Sequence, residues 1–247
     1  MSVTLIVLAF AAVMVACEIA APGRSWPQVA TWWIRAALLN GFQVATVFLS
    51  GSLWDRWMLR HRLFSSEALG PVVGGVVGYV AITFVFYWWH RWRHGFDVLW
   101  RWFHQVHHSP QRIEIITSFY KHPLEILTNG IISSAIVYLL VGLDRTAALN
   151  AILLSGLAEL FYHWSVRTPH WLGYLIQRPE SHCVHHQEGL HSYNYGDLPI
   201  WDILFGTFRN PRRWEARCGF GQEDERRLVE MLRGVDIKRP NPSGAAP

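Results

Sequence analysis

Charged side chains are scarce in this chain: Asp, Glu, Lys and Arg make up 16% of its 247 residues, where a soluble domain carries about a quarter. That is too little polar surface to meet water on every side, which excludes an ordinary soluble globule. The shortage is concentrated. Residues 36–54, 68–89 and 126–143 hold no charge at all, and each approaches or exceeds the roughly 20 apolar residues that cross a bilayer as a helix. Cysteine is equally scarce. Cys17, Cys183 and Cys218 form no Cys-x-x-Cys pair and offer no disulfide framework. No Gly-x-Gly-x-x-Gly or Walker-type loop occurs, which leaves a built-in nicotinamide, flavin or nucleotide site without support. The apolar N-terminal stretch, residues 2–17, has no basic start and ends at Glu18 and APGRSWP without an Ala-x-Ala cleavage site there, so it reads as a retained span and not a removed signal peptide.

A fifth apolar segment, residues 146–164, carries Glu159 four positions before His163; ionisable groups within spans tend to face a bundle or cavity. The formal net charge is +4. Its basic residues cluster beside the apolar windows and suit lipid headgroups, so no nucleic-acid partner is expected. The fold expected is all-α: an integral membrane helical bundle of four to five transmembrane or re-entrant helices under a histidine-rich helical cap. Three parts follow along the chain: a hairpin and loop over residues 1–67, a core region over 68–215, and a closing part over 216–247. In that last part QEDERRLVEMLRG reads as one short amphipathic helix and KRPNPSGAAP as a disordered tail. Arg56, Arg60 and Arg62 would face opposite to Arg91, Arg93 and Arg101; either the second set wins or the first hairpin does not fully span, and the cap of this multi-pass protein is expected on the cytoplasmic side.

What is abundant is histidine, with 13 residues, and its placement is regular. HRWRH at 90–94 follows an apolar window, and His-x-x-His-His occurs twice, as HQVHH at 104–108 and HCVHH at 182–186. On a helix, positions three and four apart share a face. His90 and His94 therefore point together, as do His104, His107 and His108, and likewise His182, His185 and His186. Three such stripes can converge on metal, and eight to ten imidazoles exceed the needs of one ion, which points to two. For the stripes to meet, the chain between them must leave and re-enter one membrane face, and the segments 126–143 and 146–164 supply that return. The chain has no Glu-x-x-His where soluble di-iron bundles place it. Glu114, Glu125, Glu159 and Asp202 read instead as acceptors that orient rings. His61 reads as interfacial and His170, beside Pro169, as structural; Trp88, Trp89, Trp92, Trp100, Trp102 and Trp164 read as an aromatic belt. Cys183 lies among the third stripe without being needed as a ligand.

HRWRH, HQVHHS, KHPLE, the FYH that ends at His163, HCVHH, HSYNYG and IWDILFGTF, in that order over about residues 68–215, resemble the signatures of the fatty acid hydroxylase superfamily, also called the sterol desaturase family. The resemblance implies a membrane-embedded, O2-dependent non-haem di-iron oxidoreductase acting on lipids, a hydroxylase or desaturase. Carried over by position, it implies the metal ligands His90, His94, His104, His107, His108, His182, His185 and His186, completed by His163 and His122. Asn194, Tyr195 and Gly196 match the end of the last histidine motif, and Trp201 and Asp202 open the stretch after it. Some members carry a second histidine where this chain has Arg167. The expected cofactors are two Fe ions, with Zn in their place in a purified protein, and O2 as co-substrate. The expected partners are a membrane lipid, such as a fatty acyl chain, a sterol-like ring or a carotenoid, and an external electron donor: a ferredoxin, a cytochrome or a reductase. Two other classes compete. A membrane metal transporter would place its ligands at membrane mid-depth, and a zinc-dependent hydrolase would need three protein ligands and leave most of these histidines unused.

Overall fold

The structure, a computed structural model, describes residues 3–238. Most of the Pro- and Gly-rich tail, residues 239–247, lies outside them. Among the described residues there is no strand, only an isolated bridge between Gln187 and Cys218. Twelve α-helices follow in chain order: α1 (Val3–Ala20), α2 (Trp32–Ser50), α3 (Arg56–Arg60), α4 (Gly70–Gly95), α5 (Asp97–Phe103), α6 (Gln105–His108), α7 (Pro123–Ser134), α8 (Arg145–Tyr162), α9 (Pro179–His185), α10 (Pro199–Leu204), α11 (Gln222–Glu225) and α12 (Leu228–Leu232). A π-helical turn over Gly51–Asp55 joins α2 to α3, and another extends α7 over Ala135–Leu140.

Three of these helical stretches, Trp32–Arg60, Glu67–Gly95 and Pro123–Leu140, are long and apolar enough to cross a membrane. Their outer faces carry exposed Leu38, Phe48, Val72 and Val73, a surface suited to lipid and costly in water. The protein is thus an all-helical membrane protein, as its charge-free windows imply.

The scaffold of the site is the pair α4 and α8. Small residues let the two backbones approach, as between helices in lipid, where close packing replaces the hydrophobic drive. A Cβ on Gly75 would stand 2.7 Å from that of Asn150, and one on Gly78 would stand 2.8 Å from that of Ala151. Asn150 donates its amide to the carbonyl of Pro71 at 2.9 Å, which fixes the register. Asp144 caps α8, accepting from the backbone N–H of Thr146 and Ala147 at 2.7 and 3.1 Å, and so satisfies donors that the first turn leaves free. Ile82, Val137, Leu143 and Ala151 fill the space between α4, α8 and the π-helical extension of α7.

A second core closes the cap. Val29 and Trp32 meet Trp100, Tyr120, Phe220 and Met231 there, so the C-terminal segment packs back onto α2. The single amphipathic helix expected near the C-terminus is split into α11 and α12. Its first half is pinned by Arg35, whose guanidinium donates to the Glu225 carboxylate and the Glu225 carbonyl, both at 2.9 Å, while the second half sinks Met231 into the core. One straight helix has no means to serve both anchors.

Candidate metal centre

α4 runs past its last apolar turn and carries His90 and His94 beyond the Trp88–Trp89 level. α6 and α9 are short, and each is built almost wholly from a His-x-x-His-His unit. Pro179 starts α9 at a position where its missing N–H is no loss. α7 and α8 lead the chain away and back, so both short helices lie over the end of α4, on one side of the molecule.

There the histidines form two adjoining groups. His90, His94, His104, His108 and His185 make one; His107, His163, His182 and His186 make the other. Within each, one ligand nitrogen per ring lies within 4.8 Å of every other. The groups touch: the His108 and His186 rings stack at 4.1 Å, and those of His107 and His108 stand 5.7 Å apart.

The rings are held from behind. His90 Nδ1 lies 2.8 Å from the Tyr195 carbonyl, His185 Nδ1 2.7 Å from that of Tyr193, and His163 Nδ1 2.9 Å from that of Glu159. The Glu125 carboxylate takes His104 Nδ1 at 3.0 Å and also pairs with Arg93. His108 Nδ1 meets His191 at 3.1 Å, and the Gln177 amide sits 2.9 Å from His182 Nδ1. With Nδ1 occupied in this way, Nε2 is left to face inward, the arrangement in which outer partners fix the tautomer of metal-binding histidines. Nε2 of His90 and His185, and both ring nitrogens of His94 and His186, are buried without any hydrogen-bond partner among the described residues. Buried imidazole nitrogens left unpaired are costly; metal ligation removes that cost, and the donor set therefore fits metal.

Burial keeps these rings neutral. It pushes the pKa of His104, His107, His108, His182 and His186 well below the ordinary value, and lowers His163 and His185 to about 3. Neighbouring imidazoles act in the same direction, so a proton on any one ring opposes protons on the rest. Neutral imidazole is the form that binds metal.

Of the ten ligands the motifs imply, nine fall in the two groups. His122 does not. It caps α7, accepting the Leu124 N–H on Nδ1 at 3.0 Å, and its Nε2 faces the Leu232 carbonyl. His61 stacks on Trp57 and His170 meets the Asn210 carbonyl, both away from the groups. Among the four carboxylates, only Glu125 touches a ligand ring with its side chain. Glu159 pairs with Lys121, Glu114 with Arg112, and Asp202 accepts from the Tyr195 and Gly196 N–H groups at 2.8 and 2.9 Å, which shapes the loop holding His90. Trp100 leaves the aromatic belt: it is buried, with its ring 5.3 Å from both His94 and His108. His191, clustered with His182, His185 and His186 in the sequence but outside the His-x-x-His-His spacing, backs His108 from a left-handed backbone, φ 44°. Cys183 and Cys218 are buried together with Ile113, apart from the groups.

An all-helical membrane scaffold whose cap joins nine imidazoles, eight of them buried, into two groups defines a candidate two-metal centre of nitrogen donors. Residues 75–207, more than half of the chain, match the fatty acid hydroxylase family. The chain belongs to that family. It is 35% identical over 143 residues to the ornithine lipid hydroxylase OlsE of Rhizobium tropici, covering 56% of this chain and 42% of that protein. It is 30% identical to human alkylglycerol monooxygenase over 53% of this chain and 29% of that protein. With the Delta(7)-sterol-C5(6)-desaturase of Nicotiana tabacum it shares 26% identity over 60% of this chain and 54% of the relative. The chain thus spans about half or less of the length of these curated relatives. No solved structure matches it. These relatives are named as a lipid hydroxylase, a monooxygenase and a sterol desaturase.

Proposed function

We propose that the chain is an O2-dependent di-iron enzyme that hydroxylates, or desaturates, an unactivated C–H bond of a membrane lipid. The observation that carries this reading is the pair of contiguous histidine groups. Five and four donors, all nitrogen, satisfy two ions and leave each charge largely uncancelled, a setting that favours anionic oxygen species. His90, His94, His104, His108 and His185 would hold one iron, and His107, His163, His182 and His186 the other. Irons held there would supply O2 activation: with two electrons and two protons from an outside donor, one oxygen atom would enter the C–H bond and the other leave as water, or two hydrogens would leave the chain and both oxygens end as water. His122 is assigned to capping α7 and not to the metals.

The chain's own residues serve orientation and exclusion. Glu125 and the carbonyls of Tyr193, Tyr195 and Glu159 set ring direction before metal arrives, so little reorganisation is needed on binding. Trp100 and Phe220 cover the outer side of the groups, and residues 218–220 tie over them: Gly219 donates its N–H to the His186 carbonyl at 2.9 Å and Phe220 to that of Ser109 at 3.1 Å. Water is kept from the centre on that side, while the α4 and α8 side faces lipid. We assign residues 68–215 as the catalytic domain, 1–67 as the membrane hairpin with its loop, and 216–247 as the closing segment, with the cap in the cytoplasm and electrons from a ferredoxin, cytochrome or reductase.

Lipid profiling of cells that carry the active chain or its His107→Ala variant tests the function. One lipid should gain an oxygen, or lose two hydrogens, only with the active chain. Identical profiles, together with no iron-dependent O2 uptake by the purified protein, would rule the proposal out.

A further inference from the structure

Beside the four-histidine group lies a cavity of about 310 Å³ between α1, α4 and α8, at the small end of ligand pockets. None of the nine grouped histidines lines it. Its walls are mostly apolar, with Met14, Leu154, Ala158 and Phe161 among them, but one polar end is formed by Tyr162, Gln177 and a carboxylate, Asp197, which are linked to one another. A carboxylate facing an apolar pocket is costly unless something meets it. Asp197 accepts the hydroxyls of Tyr162 and Ser155, which fill two of its roughly four acceptor sites. The cation in its field, Lys121, is committed to Glu159. Burial and the charge of Glu159 push the Asp197 pKa up to about 7, as befits a carboxyl without a fixed countercharge.

This polar end is connected to the metal groups. The Tyr162 ring lies 4.5 Å from that of His182 and 4.9 Å from that of His163. Gln177 donates its backbone N–H to the Asp197 carbonyl at 3.1 Å and sets its side-chain amide against His182. One side chain, that of Tyr162, therefore lies between the carboxylate and the four-histidine group.

We propose that this cavity seats a hydrocarbon chain of the lipid, and that Asp197 accepts a hydrogen bond from a donor group on that chain, a hydroxyl or amide N–H close to the carbon presented to the four-histidine group. Asp197 is then a specificity-determining residue. It selects a chain that is already oxygenated or amide-linked over a plain hydrocarbon, so a hydroxylating or acylating step must precede this one. The role of the neighbouring metals rests on the function proposed above; the binding does not.

The full chain in detergent would be photolabelled with a long-chain alcohol bearing a mid-chain diazirine, and with its methyl ether, which has no donor. A hydrogen bond to a charged acceptor corresponds to about tenfold in occupancy. The alcohol should label α1 and α8 residues of the wall about tenfold more than the ether does; Asp197→Leu should bring the two to equality and Asp197→Asn restore part of the preference. Ala158→Trp, which fills the cavity, should abolish labelling by both, with metal content unchanged. Equal labelling by alcohol and ether in the unsubstituted protein, a comparison that needs no variant, would overturn the proposal, as would labels mapped outside the cavity. Iron-dependent O2 uptake measured on the same samples separates the two readings: its loss with the alcohol preference intact counts against the metal chemistry alone.

Discussion

The five-histidine and four-histidine groups are built from the same two motifs used in opposite senses. In α6, His104 and His108, four apart, enter the larger group, and His107 enters the smaller. In α9, His182 and His186 enter the smaller group, and His185 enters the larger. Each His-x-x-His-His unit thus bridges both groups, sending an i,i+4 pair to one and the i+3 ring to the other. His90 and His94 complete one group from α4, and His163 completes the other from the end of α8. The surroundings differ more than the donors. The larger group has the Glu125 carboxylate, itself paired with Arg93, directly against one of its rings; the smaller has carbonyls and an amide against its rings, and the nearby Lys121 is paired with Glu159. It is also the smaller group that borders the cavity. Under the function proposed above, the two groups would hold their ions unequally, with Glu125 tightening the larger one.

Removing one ligand from each group probes the division most severely. His94→Ala and His107→Ala should each abolish oxygenated product and lower bound iron from two ions to one per chain, by lipid analysis and metal quantification. If either variant kept full activity, that histidine would not belong to the centre. The unequal grip predicts a smaller effect. Glu125→Gln should weaken one of the two iron-binding phases by about 10–100-fold and leave the other unchanged in a metal titration, and a chelator should strip the unsubstituted protein of its smaller-group iron first. Equal weakening of both phases would erase the distinction.

What the groups share is neutrality, and acid tests it. Burial holds His163, His185 and His191 at about 3, whereas an unfolded chain takes up these protons near pH 6.5. The unfolded state binds more protons between those values, so stability is full above about pH 6.5 and falls as pH falls toward about 3, by up to about 1.4 kcal/mol per pH unit per ring. The Tm of the metal-free protein should drop steadily over that window; a flat profile would mean that the rings are solvated. The smallest effect is expected at His122. His122→Ala should cost about 1 kcal/mol through the lost cap of α7, with bound iron unchanged.

Much of this was legible in the sequence, for reasons that can be traced to particular residues. The charge-free windows marked lipid-facing helices because the bilayer forbids charge there, and i,i+4 spacing brought His90 with His94 and His104 with His108. The return through residues 126–164 was required by topology once both His-x-x-His-His units had to meet. His122 falls outside both groups, because KHPLE also serves as a cap: a residue before Pro, opening a helix, with its side chain taken by the Leu124 N–H. The split of α11 from α12 and the burial of Trp100 depend on contacts more than a hundred residues away, with Arg35 and Phe220, which local pattern does not carry. Arg167 is exposed, and the four-histidine group closes without a histidine there.

X-ray absorption on the iron-loaded, unsubstituted protein tests the central claim most directly. The account predicts two irons per chain, each in a first shell dominated by imidazole nitrogen, with an iron neighbour visible to each. A single iron per chain, or sulfur from Cys183 in the shell, would contradict it.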